Sequence, residues 1–336
     1  MKKIYLILSV FAIVFTACET DFDVNAEWEE TTVVYGLLDA TDTDIEKKIQ
    51  KIKISKAFLG KMDAMQMAQY ADSINFDSGE LDVKIVRAKN NGNTDTIILN
   101  EALISREGGD FNDSIMIYTF DNDNFLNSNS EYELLIENNF TGNSVSSITN
   151  IISGFDFDNV FRSSQAFQFG LYNNGDYSLS TITWDDSNDN GSIYQLDLVI
   201  NYKDSNVLSG VVSSEQLVFS QPLVDDKKTN MRIEGESFFN FLRLNIEKDD
   251  TKVRYFNSID LVMTVGSDDL DTYIKVNKPI TGIVQERPQF TNINNGIGLF
   301  SSRFTKIRAG FRLTDCTLKY LVEDVDRGFV GTYDCP

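Results

Sequence analysis

From residue 32 onwards the chain alternates short apolar runs with polar clusters. The runs TVVYGLL (32–38), IQKIKISKAF (49–58), LDVKIVRA (81–88), TDTIILN (94–100), SIMIYTF (114–120), EYELLIEN (131–138) and SVSSITNI (144–151) are rich in Ile, Val, Tyr and Thr, and Asn, Asp and Gly separate them. Period-two runs bounded by turn residues predict strands. Seven of them in about 120 residues is the count expected of an immunoglobulin-like sandwich, here over 32–153. Within the second run Ile49, Lys51, Lys53 and Ser55 alternate with Gln50, Ile52, Ile54 and Lys56, a mixed pattern that predicts an edge or partly exposed strand. Tyr132, just after the turn residues NSNS, has the placing of a tyrosine corner. One stretch reads as a helix: over 61–72, Met62, Met65, Met67, Ala68 and Ala71 gather on one side, either packed under a loop or presented as an adaptable surface.

After Gly154 the pattern predicts a second β-rich domain, 154–336, with one or two short helices. TITWDDSNDNGSIYQLDLVINY (181–202) reads as a hairpin whose Tyr194, Leu196, Leu198, Ile200 and Tyr202 share a face. Phe238, Phe239, Leu242 and Ile246 follow the 3.6-residue repeat and predict a helix over 236–247. Strands are expected at 254–266, 303–313 and 316–322, and one or two helical turns at 268–276. The fold class is therefore mainly β. No fixed-period repeat is present, and four prolines leave no Pro-rich linker.

The N-terminus has a different character. Lys2 and Lys3 precede an uninterrupted apolar run at 4–15, and Thr16 and Ala17 place small side chains before Cys18. Crossing a bilayer takes about 20 apolar residues, so this shorter run predicts a signal peptide, 1–17. F-T-A-C resembles the lipobox of bacterial lipoproteins, with Phe15 where Leu is usual. The resemblance implies that Cys18 becomes the new N-terminus and carries a covalent diacylglycerol, a membrane anchor. An ordinary signal peptide followed by an incidental cysteine is the alternative. Residues 18–31 are acidic and aperiodic, as a solvated tether would be.

Charge and missing residue types narrow the function classes. The formal charge of -21 becomes -23 once Lys2 and Lys3 are removed with the signal peptide. A surface of that sign lacks the basic footprint that nucleic acid requires. The chain has no histidine, which excludes Ser-His-Asp and Cys-His nucleophilic arrangements and His-ligated metals. Cys316 and Cys335 remain, and two thiols outside the cytoplasm are expected to pair, closing a loop of about 20 residues worth on the order of 3 kcal/mol and pinning the C-terminal tail to a strand at 311–322. A free thiol is the alternative, disfavoured by the flanking Asp315 and Asp334.

Asp186, Asn188, Asn190, Gly191, Ile193 and Asp197 fit the spacing of an EF-hand calcium loop. Strand-like flanks argue against that motif, and a hairpin loop explains the same residues without metal. A β-type calcium site drawn from Asp185, Asp186, Asn188, Asp189 and Asn190 is the minority reading. The acids at 121–124 and 154–158 read as solvated turns. The triplets beginning at Asp72, Asp95 and Asp113 resemble an O-glycosylation signal of Bacteroidota envelope proteins, with Ser73, Thr96 and Ser114 as acceptors.

The stretch ERPQFTNINNGIGLFSSR (286–303), together with 33–60, the Trp184 segment and Tyr132, resembles a family of Bacteroidota outer-membrane lipoproteins of unknown function. Ser301 and Ser302 depart from the glycine and small residue frequent there. Many members are encoded beside TonB-dependent transporters, so the resemblance implies a cell-surface partner of a β-barrel; it supplies no catalytic residues. NNGIGLF itself reads as a tight turn using Gly296 and Gly298 at positive φ, with Phe300 plugged into the core. The expectation is a non-catalytic protein without cofactors, serving a TonB-dependent transporter or a barrel-assembly or secretion machine. A carbohydrate-binding or carbohydrate-cleaving surface lipoprotein is the alternative, although Trp28 falls in the tether and Trp184 in an expected core strand.

Overall fold

The computed structural model describes residues 31–41, 49–57, 74–89, 92–105, 114–128, 130–152, 154–158, 166–170, 176–185, 190–225, 229–279 and 288–335. The described part of the first half contains β1 (Thr31–Asp39), β2 (Ile49–Ala57), β3 (Leu81–Ala88), β4 (Thr94–Ile98), β5 (Asn100–Ser105), β6 (Ser114–Asp121), β7 (Glu131–Asn138) and β8 (Ser144–Asn150). The second half adds β9 (Ala166–Phe167), β10 (Leu179–Thr183), β11 (Ile193–Asn206), β12 (Val212–Ser220), β13 (Val224–Asp225), β14 (Asn230–Glu234), helix α1 (Gly235–Asn245), β15 (Lys252–Gly266), helix α2 (Asp268–Asn277), β16 (Gly296–Leu313) and helix α3 (Asp315–Glu323). The protein is mainly β. A ten-stranded sheet runs in the order β12-β11-β15-β16-β1-β2-β6-β5, with β13 and β9 attached to β11 and β16. A four-stranded sheet runs β4-β3-β7-β8, and β10 pairs with β14.

Period-two alternation explains the first core. Val34, Leu38, Ile52, Ile54, Tyr118 and Phe120 from the larger sheet meet Leu81, Val83, Ile85, Tyr132, Leu134 and Ile136 from the smaller one. The Tyr132 hydroxyl donates to Phe125 O at 2.9 Å and accepts from Asn127 N at 2.7 Å, tying the β6–β7 connection to the core. Glu80 clamps the other end: its carboxylate accepts from Asp77 N, Asn138 Nδ2 and Lys56 Nζ.

Of the two readings of β2, the partly exposed strand holds and the edge does not: Ile49 and Lys51 are exposed while Gln50, Ile52 and Ile54 are buried, and the strand lies between β1 and β6. Its inward polar residue, Gln50, is satisfied by the backbone of Asp39, donating to O at 3.1 Å and accepting from N at 2.8 Å. The run 94–100 is two strands rather than one: β4 pairs with β3, β5 pairs with β6, and Leu99 between them still donates its N–H to Val83 O. Continuous β-propensity conceals a change of sheet.

In the second half, Tyr194, Leu196, Leu198, Ile200 and Tyr202 do share the buried face of β11. The hairpin expected over 181–202 does not form, since β10 pairs with β14 and β11 pairs with β12 and β15. The Asn206–Gly210 turn after β11 is the true hairpin connection. Helix α1 places Phe238, Phe239 and Leu242 in the core, where Phe238 stacks on Phe169 with centroids 4.4 Å apart. The strand expected at 316–322 is helix α3. Thr314 caps it by accepting from Thr317 N, and Thr317 and Leu321 fall on one buried face, a helical spacing that β-favouring Thr, Tyr and Val had masked.

β16 joins the halves. It pairs in parallel with β1 from Thr32↔Gly296 to Asp39↔Arg303, and antiparallel with β15. Ile293 and Phe300 enter the first core, while Phe311 and Leu313 enter the second. The two cores divide near residue 152, but the sheet runs unbroken across that point. The turn before β16 is made by Asn295 at φ 57°. Gly296, expected at positive φ, starts the strand with ordinary φ; a Cβ there would lie 2.8 Å from Thr32 O. Gly298 does adopt φ +121°, and a Cβ there would lie 2.0 Å from Val34 O. These glycines serve the close parallel approach to β1, and Phe300 is fully buried as expected.

Candidate functional site

Helix α2 crosses the outward face of the larger sheet and leaves a groove of about 540 Å³ against β1, β2 and β16. Its position follows from local chemistry. Asp268, Asp269 and Asp271 fill the first turn, where acids favour the positive end of the helix dipole. Ser267 N donates to Ser302 O at 3.2 Å, and the Ser267 and Ser301 hydroxyls are hydrogen-bonded. Asn292 Nδ2 holds Asp269 at 3.0 Å and Phe300 O at 2.7 Å, while its Oδ1 accepts from Phe300 N at 2.9 Å. Burial raises the Asp269 carboxyl, an effect that the Asn292 hydrogen bond opposes and the neighbouring Asp268 reinforces. Asn292 also offers its carbonyl to Ser147 Oγ at 2.7 Å, and Asn294 pairs with Ser146. The NINNGIGLF segment therefore ties helix, both sheets and core together.

Leu37, Leu270, Ile274 and Leu299 line the groove with Tyr35, Tyr273, Asp39, Lys51 and Arg303. The Tyr35 and Tyr273 rings meet edge to face at 6.1 Å, and their hydroxyls are hydrogen-bonded to each other at 3.4 Å. That hydrogen bond, followed by burial and the Tyr273 charge, pushes the Tyr35 phenol up to about 12. At neutral pH the phenol keeps its proton. Asp39 is committed: Oδ2 accepts from Arg303 Nε at 3.0 Å, and Oδ1 from Thr41 N at 3.0 Å. The groove thus has an apolar floor, a pair of tyrosines and cationic side chains at its rim. No carboxylate pair and no nucleophile with an adjacent base lies among its described residues.

Outside the groove, Asp156 sits between strands at the junction of the halves. Burial would raise its carboxyl, but hydrogen bonds from Arg308 and from Phe157 N, with the Lys306 and Arg308 charges, hold it below the usual range. Arg308 Nη2 reaches both of its oxygens, at 2.7 and 2.6 Å. The acid is held in an ion pair with Arg308.

The residues singled out from sequence are dispersed. Cys316 and Cys335 form a disulfide with Cα atoms 4.6 Å apart, linking the first turn of α3 to the tail. The tail is also held by Val330 N on Arg254 O and by Phe329 against Tyr202. Asn190 adopts φ 74° and donates to Ile151 O at 3.2 Å; Asp185 accepts from Asp156 N at 3.2 Å. Asp186, Asn188 and Asp189 lie outside the described residues, and no metal-competent cluster occurs among those described. Asp197, the last position of the calcium pattern, points from the middle of β11. Thr96 is exposed on β4 and Ser114 half-buried at the start of β6. Cys18, Trp28, Ser73 and the Met-rich stretch lie outside the described residues. Trp184 is buried, and no helix among those described is long and apolar enough to cross a membrane.

Nothing in the sequence marks the groove residues as a set. Tyr35, Asp39, Tyr273 and Arg303 come from three distant segments, and only the β1–β16 register and the seating of α2 bring them together. Against known proteins, the chain matches no family model, no curated protein and no solved structure.

Proposed function

We propose that this chain is a non-catalytic, lipid-anchored protein of the bacterial outer membrane, facing the cell surface, that binds or caps an outer-membrane β-barrel complex such as a TonB-dependent transporter or a barrel-assembly or secretion machine. The observation that carries the non-catalytic reading is the state of the groove: Tyr35 keeps its proton and Asp39 is committed to Arg303 and Thr41, so the groove offers contact surface without a general base. The anchor reading rests on the Lys2, Lys3 and Cys18 signal, and the barrel partner on the family resemblance. The order β1-β2-β6-β5 facing β4-β3-β7-β8 supports the immunoglobulin-like reading of the first half. Affinity purification of the full-length lipoprotein from native membranes in mild detergent tests the proposal. A barrel protein is expected in stoichiometric amount with the lipidated chain; recovery of the chain alone counts against it.

A second reading, carbohydrate binding, is favoured by the Tyr35–Tyr273 pair, whose partly exposed rings could stack on a sugar. Calorimetric titration with soluble polysaccharides, compared between the wild type and Tyr35→Ala, separates the two.

A further inference from the structure

The β11–β12 hairpin ends in an unusual turn. Val207, Leu208, Val211 and Val212 are 55, 81, 64 and 60% exposed, four apolar side chains within the six residues VLSGVV. The turn is rigidly built: Asn206 Oδ1 accepts from Leu208 N and Ser209 N, Gly210 at φ +70° closes it, and Val207 N donates to Thr251 O at 2.8 Å. The side chains are therefore held in solvent by a preorganised backbone. Beside this turn β12 is the last strand of the ten-stranded sheet, and its outer edge is unpaired among the described residues. The pairing with β11 is unbroken from Ser205↔Val212 to Asp197↔Ser220. β12 holds no proline, no lysine and no bulge, the usual devices that blunt an edge, and Glu215 is its single charge.

We propose that this edge, with the apolar turn at its end, is the docking surface for an extended segment of a partner protein, which joins the sheet as a further strand beside β12. Backbone hydrogen bonds along β12 supply affinity and the four apolar side chains supply the anchor. A membrane surface fits less well. The turn has no Trp, Tyr, Lys or Arg, the types that settle at a lipid interface. Position argues the same way. β1 and β11 run in the same direction, and the levels of Asp39, Arg303, Gly266 and Ile193 coincide across the sheet. Thr31 lies before that level and Asn206 far beyond it, roughly 60 Å apart after allowance for twist. The 13 residues from Cys18 to Glu30 reach at most about 45 Å, so a molecule standing on this turn could not keep its anchor in the same bilayer. A second copy is opposed by charge, since each mature chain carries -23. The same excess favours a neutral or basic partner segment.

The inference rests on the reading of this chain as a binding partner, and the test separates the two. A photo-crosslinking amino acid is placed at positions 208, 214, 216 and 218 of the full-length lipoprotein in native membranes. The expected result is crosslinks to one extended segment of the protein that co-purifies with the wild type, with the crosslinked residue stepping along that segment in register with the position on β12. Crosslinks only to lipid, only to a second copy, or to nothing overturn the proposal. In parallel, Leu208→Ser and Val218→Lys alter exposed side chains and should leave the melting temperature unchanged, while each reduces the co-purifying partner about tenfold. If the partner persists undiminished with both variants, the β12 surface is wrong and the broader function stands. If the wild type retains no partner, the broader function fails.

Discussion

At the scale of single residues, two positions show how backbone geometry and electrostatics decide identity. Gly298 combines positive φ with a Cβ position that would overlap the Val34 carbonyl. Gly298→Ala should therefore force β1 and β16 apart, with a loss of about 3 kcal/mol or more in a denaturant titration, whereas the exposed Gly142→Ala, with nothing within 4 Å, suffers only its φ strain of about 1 kcal/mol. Tyr35 gives a spectroscopic prediction. Its pKa of about 12 depends first on the Tyr273 hydroxyl. In Tyr273→Phe, the ultraviolet absorbance titration should show one tyrosine moving from near 12 toward 10. Because the folded pKa lies above the unfolded value, the Tyr35 contribution to stability is present below about pH 10 and disappears as the pH rises toward 12. Asn292 could be seen in the sequence as part of a motif, but its role could not. Its amide serves α2, β16 and the core at once, a geometry that spacing along the chain does not encode.

At the scale of elements, helix α3 and the tail behave as one unit. Cys335→Ser opens the 316–335 loop, and the loop-entropy argument gives a loss of about 2–3 kcal/mol. Docking of residues 328–330 on Arg254 retains the tail's position, so hydrogen exchange should rise at 330–335 before it rises in β15. Most strands of the first half were legible because one face of each is buried and the alternation survives in the sequence. The exceptions have different causes. β5 is hidden because Leu99 carries a strand-like run from one sheet to the other, and β12, in the second half, because polar Ser213, Ser214, Glu215 and Gln216 lie on an exposed edge that needs no alternation. The helical α3 is hidden because its buried face is made by Thr317 and Leu321 while its half-buried Tyr320 and Val322 favour strands.

At the scale of the whole molecule, acid sensitivity should be set by carboxylates buried at junctions. Burial would raise Glu80, but hydrogen bonds from Asp77 N and Asn138 and the Lys56 ammonium hold its carboxyl below the usual 4.5. A depressed folded pKa means that its stabilisation is complete above about pH 4.5 and is lost as the pH falls through the folded value. Glu80→Gln should lower the melting temperature at pH 7, by the equivalent of about 1–3 kcal/mol, and flatten its decline in acid. Because β16 spans both cores, unfolding should be a single transition: tryptophan fluorescence, which reports Trp184 in the second core, and the Tyr132 near-ultraviolet signal in the first should share one midpoint.

The sequence by itself determined the mainly β class, the buried face of β11, the helix at α1, the acidity and the lack of histidine, because alternation, helical periodicity and composition are local properties. Only the tertiary structure decided that β1 pairs with β16 rather than with neighbours alone, that the sheet crosses the boundary between the two cores, and that Tyr35, Tyr273 and Arg303 share a groove. Pairings between residues more than 250 positions apart depend on which distant faces are complementary. That complementarity is a property of the assembled surfaces, and a linear pattern carries no record of it.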